Sequence, residues 1–389
     1  MGQESNVDRR FVVDLLKELV ATNSVNPSIG RGPGESEISN VIYERLTSIA
    51  DLKVHRQPVA DGRSNIIAIL KGTGGGRSLM LNGHMDTVGV EGMTIDPFTP
   101  LVENGRLHAR GACDMKGALA AMIGALKSIA DSGVRLHGDL IFTAVVDEEY
   151  VSLGMKKLIE KYRADAAIVG EPTEMKVAIA HKGFVWVEIE TRGKAVHGSV
   201  PEKGIDAIAH AAKVVSRLEK LQEKLGARVH PLLGAAKVHT STIQGGTDWS
   251  IVPERCVLRY ERRTLPDESL ESVMSEVDEM LKEIRQENED FSATARSPYS
   301  MPDLETPQSE PIAQLLEDAL AKIKSKHYPI IGLPYWTDGA LLSKLASIPT
   351  CIFGPGDICV AHSADEYISV DDVLSSGEVY TKTAQMFCS

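Results

Sequence analysis

The alternation of apolar and polar positions predicts a chain that mixes amphipathic helices with short apolar strands. Apolar residues spaced three and four apart predict helices, and short continuous apolar runs predict buried strands. The N-terminal part reads as helices at 10–21, 36–49 and 114–131, strands at 64–70, 78–81, 139–146 and 166–169, and a helical turn or two at 155–161. Helices alternating with apolar strands predict an α/β fold, with a mixed, largely parallel sheet and helices on both faces.

The middle of the chain follows a different order. It reads as strand 184–191, helix 205–221, strands 237–243 and 255–264, helix 268–287 and strand 291–296. This β-α-β-β-α-β order is that of the ferredoxin-like fold. After a proline-containing stretch at 297–307, the α/β pattern resumes with helices at 310–325, 339–345 and 370–387 and a strand at 350–353. We therefore predict an α/β domain formed by 1–183 and 298–389, interrupted by a ferredoxin-like α+β domain at 184–297.

Composition and charge narrow the class of protein. Of the 389 residues, 43% are hydrophobic and 25% are charged, which is typical of a globular protein and argues against a disordered, collagen-like or coiled-coil chain. The 54 acidic residues exceed the 42 basic ones, and the net charge of −12 argues against nucleic acid or an anionic membrane as partners. We expect a small-molecule partner.

The sequence gives no sign of a membrane segment or a targeting peptide. The longest strongly apolar helical stretch, 117–126, is far shorter than the roughly 20 residues that span a bilayer. The N-terminus lacks the features of a signal peptide and of a myristoylation site. The five cysteines are scattered without a CxxC pair, which predicts free thiols. We therefore expect a cytoplasmic protein.

Five segments carry a histidine or a carboxylate at the end of a predicted strand or the start of a helix. They are His84 with Asp86 in LNGHMDTV, Asp114 in GACDMKG, 147–149 in VVDEEY, Glu171 in VGEPT and His362 in VAHSADE. Each has an ordinary structural interpretation by itself; Asp114, for example, reads as a helix cap. Together, the carboxyl ends of successive strands would bring them to one edge of the sheet. Two imidazoles and three carboxylates suit a pair of divalent ions, Zn²⁺ first.

Nine ordered segments carry a resemblance to a known family. They are LNGHMDTV, GRGACDMKGALAAM, DEE, GEPT, GKAVHGSVPEKGIDAI, GGTDWSIVP, RRTLP, TDGA, and GPG with AHSADE. The chain resembles the co-catalytic zinc metallopeptidase and deacylase family that includes acetylornithine deacetylase, succinyl-diaminopimelate desuccinylase, aminoacylase and glutamate carboxypeptidase.

The resemblance implies a role for each residue of the first domain's site. Position by position, it gives His84 and Glu171 as ligands of one ion, Glu149 and His362 as ligands of the other, Asp114 as the bridge, Asp86 as the carboxylate that orients His84, and Glu148 as the general acid/base. The family also has a cis peptide after the bridging aspartate. The implied cofactors are two divalent ions per chain, zinc first, with cobalt or manganese as alternatives.

The resemblance also implies roles in substrate binding. His197 matches a histidine that reaches the active site of the opposite subunit in dimeric members, and Arg263 matches an arginine that holds a substrate carboxylate. Gly354, in the GPG segment, is a further expected substrate contact. Ser250 is another, but many members have asparagine at its position, which leaves the substrate open. The inserted domain would be a lid and dimerisation domain, so we expect a homodimer.

The expected function is hydrolysis of the amide bond of a small N-acyl amino acid by water activated between the two ions, with Glu148 as the base. The alternative within the same chemistry is a carboxypeptidase or dipeptidase that acts on short peptides. From a different class, the chain could be a binding module that kept the fold without catalysis. The presence of all five ligands and of Glu148 argues against that last reading.

Overall fold

The computed structural model describes residues 7–389; residues 1–6, on which part of the expectation about targeting peptides rests, lie outside it. The chain divides into two compact units. The first comprises the chain up to Ile179 together with Glu305–Ile331 and Thr337–Ser389, and the second comprises Ala180–Leu304 with Gly332–Trp336. The predicted inserted domain, 184–297, lies within the second unit.

The helices and strands are as follows, in chain order. The α-helices of residues 7–389 are α1 (Arg9–Ala21), α2 (Ser36–Thr47), α3 (Gly117–Ser132), α4 (Leu153–Leu158), α5 (Ala207–Leu225), α6 (Leu270–Glu287), α7 (Pro311–Lys324) and α8 (Val370–Phe387). The strands of the same residues are β1 (Leu52–Ala60), β2 (Arg63–Leu70), β3 (Leu79–His84), β4 (Leu101–Glu103), β5 (Arg106–His108), β6 (Leu140–Val145), β7 (Ala166–Val169), β8 (Ala178–His181), β9 (Gly183–Arg192), β10 (Val229–His230), β11 (Gly234–Ala235), β12 (Lys237–Gly245), β13 (Arg255–Thr264), β14 (Ser292–Met301), β15 (Leu304–Glu305), β16 (Ile331–Leu333), β17 (Thr350–Ile352) and β18 (Tyr367–Ser369).

The main sheet is parallel in its centre and antiparallel toward its edges. Its order is β1-β2-β6-β3-β7-β17-β8-β15, with β16 beside β8. Strand β3 pairs in parallel with β6 and β7, and β17 pairs in parallel with β7. The β1–β2, β2–β6 and β17–β8 pairs are antiparallel. The carboxyl ends of β3, β6, β7 and β17 therefore lie at one edge, and the predicted mixed, largely parallel fold is confirmed.

Helix α3 is buried because its small residues let neighbouring elements approach closely. Its residues from Gly117 to Leu126 are all buried, and it contacts α1, α8, β3 and β6. A Cβ at Gly124 would lie 2.4 Å from Val12 Cγ2 of α1, so only glycine fits at that crossing. This packing holds α3, which begins at Gly117, three residues after Asp114.

The second unit has the ferredoxin-like order that the sequence predicts. Its sheet, β12-β13-β9-β14, is antiparallel throughout, and helices α5 and α6 pack against it. Alternate side chains of β9 are buried, among them Val185, Val187 and Ile189. The core between sheet and helices is therefore built from one face of each strand.

Several predicted elements are corrected by the structure. Strand β1 and the small sheet of β4, β5 and β18 were not predicted, because β1 carries His55, Arg56 and Pro58 at a sheet edge and the other three strands are three residues long. The predicted strand at 291–296 is longer than expected, since β14 continues to Met301 across a bulge that holds Pro298. The predicted helix at 339–345 is a short π-helix at Leu341–Leu345.

The structure also bears on the expectations about membrane segments and cysteines. None of the helices of residues 7–389 is both long and apolar enough to cross a bilayer. All five cysteines are free thiols, and four of them are buried.

Candidate active site

The five predicted metal ligands come together in the first unit as two groups of three. His84 Nε2 lies 2.9 Å from Asp114 Oδ1 and 3.7 Å from Glu171 Oε1. His362 Nε2 lies 3.2 Å from both Asp114 Oδ2 and Glu149 Oε1. Asp114 belongs to both groups, one carboxylate oxygen facing each histidine. A shared carboxylate between two such groups is the arrangement of a site for two ions.

Asp114 reaches both histidines because its backbone is not helical. Its φ of −123° and ψ of 96° are extended, and the peptide bond to Met115 is cis, as the resemblance implies. Helix α3 begins only at Gly117, with Lys116 in the capping position. The expectation that Asp114 caps a helix beginning at 114 is therefore wrong, because tertiary contacts rather than local pattern set its conformation.

Glu366 holds the main chain of the segment that carries Asp114. This buried carboxylate accepts hydrogen bonds from the N–H groups of Gly111 (3.0 Å), Cys113 (2.8 Å) and Asp114 (3.1 Å), and Arg110 Nη1 donates to it at 2.7 Å. Sequence reasoning missed this role, although the acidic residue stands in the AHSADEY segment. Its position there was the only available signal, since nothing local links it to residues so far back in the chain.

Asp86 makes two kinds of contact at the site. His84 Nδ1 lies 2.9 Å from the main-chain oxygen of Asp86 and 3.6 Å from its carboxylate Oδ1, so the nearer partner of the ring is the carbonyl rather than the predicted carboxylate. The Asp86 carboxylate instead accepts the main-chain N–H groups of Glu148 (3.1 Å) and Glu149 (3.2 Å). If Nδ1–H donates to the carbonyl, Nε2 is left with its lone pair facing Asp114, as a metal ligand requires.

The electrostatics of these residues fit a cation. Burial, and next the charge of Asp114, raises the pKa of Glu171 well above its usual value, and the same two causes raise the pKa of Glu149. Oxygen Oε1 of Glu171 is buried and accepts no hydrogen bond within residues 7–389. Carboxylates crowded into a dry site need positive charge nearby. The mixed imidazole and carboxylate donors, with one orphaned oxygen, suit divalent ions such as Zn²⁺.

The two histidines respond to the same carboxylates. Burial alone would lower the pKa of His362, but the hydrogen-bonded carboxylates of Asp114 and Glu149 outweigh it and raise that pKa to about 10. Burial alone would likewise lower the pKa of His84. The carboxylates of Asp114 and Glu171 outweigh this effect and raise that pKa well above its usual value. Both rings thus sit in strongly negative surroundings.

Glu148 lies beside the ligands without belonging to either group. Glu148 is partly buried, and desolvation, followed by the charge of Glu171, raises its pKa well above the usual value. Another carboxyl near it, that of Asp338, has a pKa raised to about 7, chiefly by burial. Asp338 stands in the TDGA segment and had no assigned role. A buried carboxyl with a raised pKa is a group that can both accept and release a proton.

Gly354 contributes to the site by close packing. A Cβ at this buried position would lie 2.3 Å from the main-chain oxygen of Gly170 and 2.6 Å from that of Glu171. The visible role of the glycine is therefore to let the end of β17 approach the segment that carries a ligand.

The other predicted substrate contacts lie in the second unit, at two ends of its sheet. His197 forms a β-bridge with Ile251, and the N–H of Gly198 donates to the main-chain oxygen of Ser250 at 2.7 Å, so His197 and Ser250 are neighbours. Arg263 is near the far end of β13, where its Nε donates to Glu261 Oε1 at 2.6 Å. The eight residue steps from the start of β13 to Arg263 span about 26 Å.

Comparison with known proteins identifies the family. Residues 80–386 match the model of Peptidase family M20/M25/M40, and the chain belongs to that family. Acetylornithine deacetylase of Myxococcus xanthus is 30% identical over 386 residues, covering 96% of each chain. N-formyl-4-amino-5-aminomethyl-2-methylpyrimidine deformylase of Halalkalibacterium halodurans is 31% identical over 417 residues, covering 98% of this chain and 94% of the relative.

The fold has a close counterpart among solved structures. Aminopeptidase PepT from Bacillus cereus superposes with a TM-score of 0.82 at 22% identity, covering 98% of this chain and 100% of the other. Together with the family assignment, these relatives make the protein a hydrolase of amide bonds. The predicted family and enzyme class are confirmed.

Proposed function

We propose that the protein is a two-metal amidohydrolase that removes the acyl group from a small N-acyl amino acid. The observation that carries the proposal is the position of Asp114, whose two carboxylate oxygens face two separate ligand groups. Both curated relatives described above are named for removing an acyl group, acetyl in one and formyl in the other. A shared carboxylate and an acyl-removing relative point to the same chemistry.

The residues of the first unit would divide the work of holding the ions. His84, Asp114 and Glu171 would hold one, and Asp114, Glu149 and His362 the other. Zinc suits these donors best, with cobalt and manganese as alternatives. When bound, such ions supply Lewis acidity, which polarises a carbonyl and eases the deprotonation of water.

Glu148 would move the proton. As the oxygen of water bonds to the acyl carbon, a carboxylate oxygen of Glu148 accepts the proton that the water loses. When the carbon–nitrogen bond breaks, Glu148 returns that proton to the leaving amine. Burial and Glu171 raise the pKa of Glu148, which suits a group that accepts and then releases a proton in one turnover.

The second unit would bind the substrate with residues from two chains. His197 would donate a hydrogen bond to the carbonyl oxygen, Arg263 would hold the carboxylate by a bidentate contact, and Ser250 would stand beside His197. Gly354 of the first unit would contribute a further substrate contact. Because about 26 Å of strand separates the two ends of β13, one chain cannot offer both His197 and Arg263 to one small substrate. The two roles are compatible if each site takes His197 from a second copy.

The edge of the second unit offers a surface for such a dimer. Strand β12 ends the sheet order, and its residues from His239 to Gly245 are exposed. Ile243 on this strand and the nearby Trp249 are exposed apolar side chains. An exposed edge strand invites pairing with another strand. We expect a dimer by sedimentation equilibrium and a monomer for Ile243→Lys; a wild-type monomer would remove the dimer from the proposal.

We also keep the cytoplasm as the proposed location. Five unpaired cysteines, four of them buried, are the pattern of a protein kept in a reducing compartment.

The test of the proposed function is a substrate panel. The zinc-loaded protein is assayed with N-acetyl, N-formyl and N-succinyl amino acids and with dipeptides that have a free amine. Hydrolysis of an N-acyl amino acid, absent in Glu148→Gln, supports the proposal, and preference for the dipeptides replaces it with a carboxypeptidase or dipeptidase. Two bound ions per chain without hydrolysis of any substrate would favour the binding module.

A further inference from the structure

A buried ion pair lies behind the loop that carries Glu148 and Glu149. Arg63 donates from Nε and Nη2 to the two carboxylate oxygens of Glu35, at 2.6 Å each, and from Nη2 to Asp147 Oδ1 at 2.9 Å. The Glu35 and Asp147 side chains are fully buried, and that of Arg63 is 12% exposed. One planar guanidinium thus joins two carboxylates, the second of which directly precedes Glu148.

Asn26 joins this ion pair to the metal site. Its Nδ2 donates to Asp147 Oδ1 at 3.1 Å and to Asp86 Oδ2 at 2.8 Å, and its Oδ1 accepts the N–H of Ser28 at 2.9 Å. The main-chain N–H of Asn26 donates to the oxygen of Thr87 at 2.9 Å. The fully buried amide is therefore held in one orientation, with both N–H donors used between two carboxylates.

The loop itself needs such support. Asp147 has a φ of 71°, in the left-handed region, which costs a non-glycine residue on the order of 1 kcal/mol or more. Its main-chain N–H donates to Glu35 Oε1 at 3.0 Å, and the following N–H groups, of Glu148 and Glu149, donate to Asp86. The direction of both glutamates is thus set by contacts at Asp147 and Asp86.

We propose that Asn26 and Arg63 are positioning residues that direct Glu149 toward its ion and Glu148 toward the reacting atoms. Within residues 7–389, neither side chain hydrogen-bonds to any of the five predicted ligand side chains, so both act through Asp147 and Asp86. Both residues also precede residue 80, where the match to the family begins. The part of the proposal that concerns turnover rests on the proposed function; the part that concerns ion binding does not.

Two substitutions separate positioning from simple stabilisation. Asn26→Asp keeps the shape of the side chain but replaces its two N–H donors with a third carboxylate against Asp86 and Asp147. Arg63→Lys keeps the charge but loses the planar fork that reaches three oxygens at once. Asn23→Asp is the matched control, because the one hydrogen bond of the Asn23 side chain within residues 7–389 is accepted by Oδ1 from the N–H of Val25, at 3.0 Å, and aspartate can accept it as well.

The experiment titrates each metal-free variant with Zn²⁺ by calorimetry, and measures kcat, KM and melting temperature. We expect Asn26→Asp to weaken binding of one of the two ions and to lower kcat, each by about 10- to 100-fold, with KM little changed. Arg63→Lys should show the same pattern with smaller changes. Asn23→Asp should behave as the wild type in every measurement.

Several results would overturn the proposal. One is an Asn26→Asp variant that folds and has wild-type ion affinity and kcat. Another is a melting temperature so low that unfolded protein at the assay temperature explains the whole decrease in ion affinity and kcat. If Asn26→Asp does not fold, Arg63→Lys decides: weaker binding of one ion at an unchanged melting temperature supports positioning, and unchanged binding refutes it. If the wild type binds two ions but hydrolyses nothing on the panel, only the proposed function fails, and calorimetry still tests the positioning.

Discussion

Glu366 Oε1 accepts a hydrogen bond from the main-chain N–H of Asp114 at 3.1 Å, although 252 residues separate the two. The same oxygen accepts from Cys113 N–H at 2.8 Å, and Oε2 accepts from Gly111 N–H and Arg110 Nη1. The segment that carries the shared ligand is thus fixed from the C-terminal part of the chain.

Replacing Glu366 should destabilise the protein strongly. Glu366→Ala leaves three buried N–H groups and the nearly buried Arg110 without their partner, so we expect a loss of about 3–5 kcal/mol in the free energy of unfolding by urea. Glu103→Ala, at an exposed position, is the control and should be close to neutral. A loss below about 1 kcal/mol for Glu366→Ala would contradict the role given to these hydrogen bonds.

The two ligand groups should lose ions differently. Asp114→Ala removes the carboxylate that both groups share, so we expect fewer than one zinc ion per chain. His362→Ala disturbs one group only and should retain one ion. Metal analysis after dialysis against zinc measures both, with the exposed His55→Ala as a control that keeps two. Equal losses in the Asp114 and His362 variants would argue against two separate ion positions.

Glu148→Gln should separate ion binding from turnover. Glutamine keeps the shape but cannot accept the proton, so we expect two ions per chain and a kcat lowered by about 10²- to 10⁴-fold. The exposed Glu160→Gln provides the control for the same substitution outside the site. A near-normal kcat with both ions bound would remove Glu148 from the role of acid/base.

Mixed dimers should reveal whether His197 acts across subunits. His197→Ala and Glu148→Gln chains are each expected to be nearly inactive alone. In a heterodimer, the site that contains an intact Glu148 receives an intact His197 from the other chain, so about a quarter of total wild-type activity should return in a statistical mixture. Persistent inactivity in verified heterodimers would show that His197 does not act in trans.

Gly354→Ala should displace the main chain that carries Glu171. The new Cβ would lie 2.3 Å from the main-chain oxygen of Gly170, and main chain cannot move aside as a flexible side chain can. We expect a loss of about 1–3 kcal/mol in the free energy of unfolding, together with weaker binding of the ion that Glu171 holds. Gly226→Ala, at the end of α5 with φ of −59°, is the control and should be close to neutral. An unchanged stability for Gly354→Ala would rule out the tight packing.

The clustering of the proposed ligands was predictable because their positions follow from strand ends and recognisable motifs. His84, Glu149 and Glu171 come at or just after parallel strands, and parallel strands deliver their carboxyl ends to one edge. The conformation of Asp114 was not predictable from local pattern. Its sequence context favours a helix start, while contacts with Glu366 and with the two histidines select an extended backbone.

The supporting network was also beyond the reach of sequence patterns. Asn26 and Asp86 are 60 residues apart, and Arg63 and Asp147 are 84 apart. No short motif links such pairs, since their contacts exist only after the sheet has formed. Strand β1 was missed for a related reason: its charged residues suit an exposed edge, and the apolar pattern that marks a central strand is absent there.

The sheet order has a consequence for biosynthesis. Strand β17 lies between β7 and β8 in the sheet, although it follows both by about half the chain. While the ribosome is still making the segment before Thr350, the two earlier strands lack the one that separates them, and His362 has not been synthesised. The second unit is complete in sequence at Trp336, before that point. Both groups of proposed metal ligands are therefore complete only after His362 has been made, although His84, Asp114 and Glu171 are present much earlier.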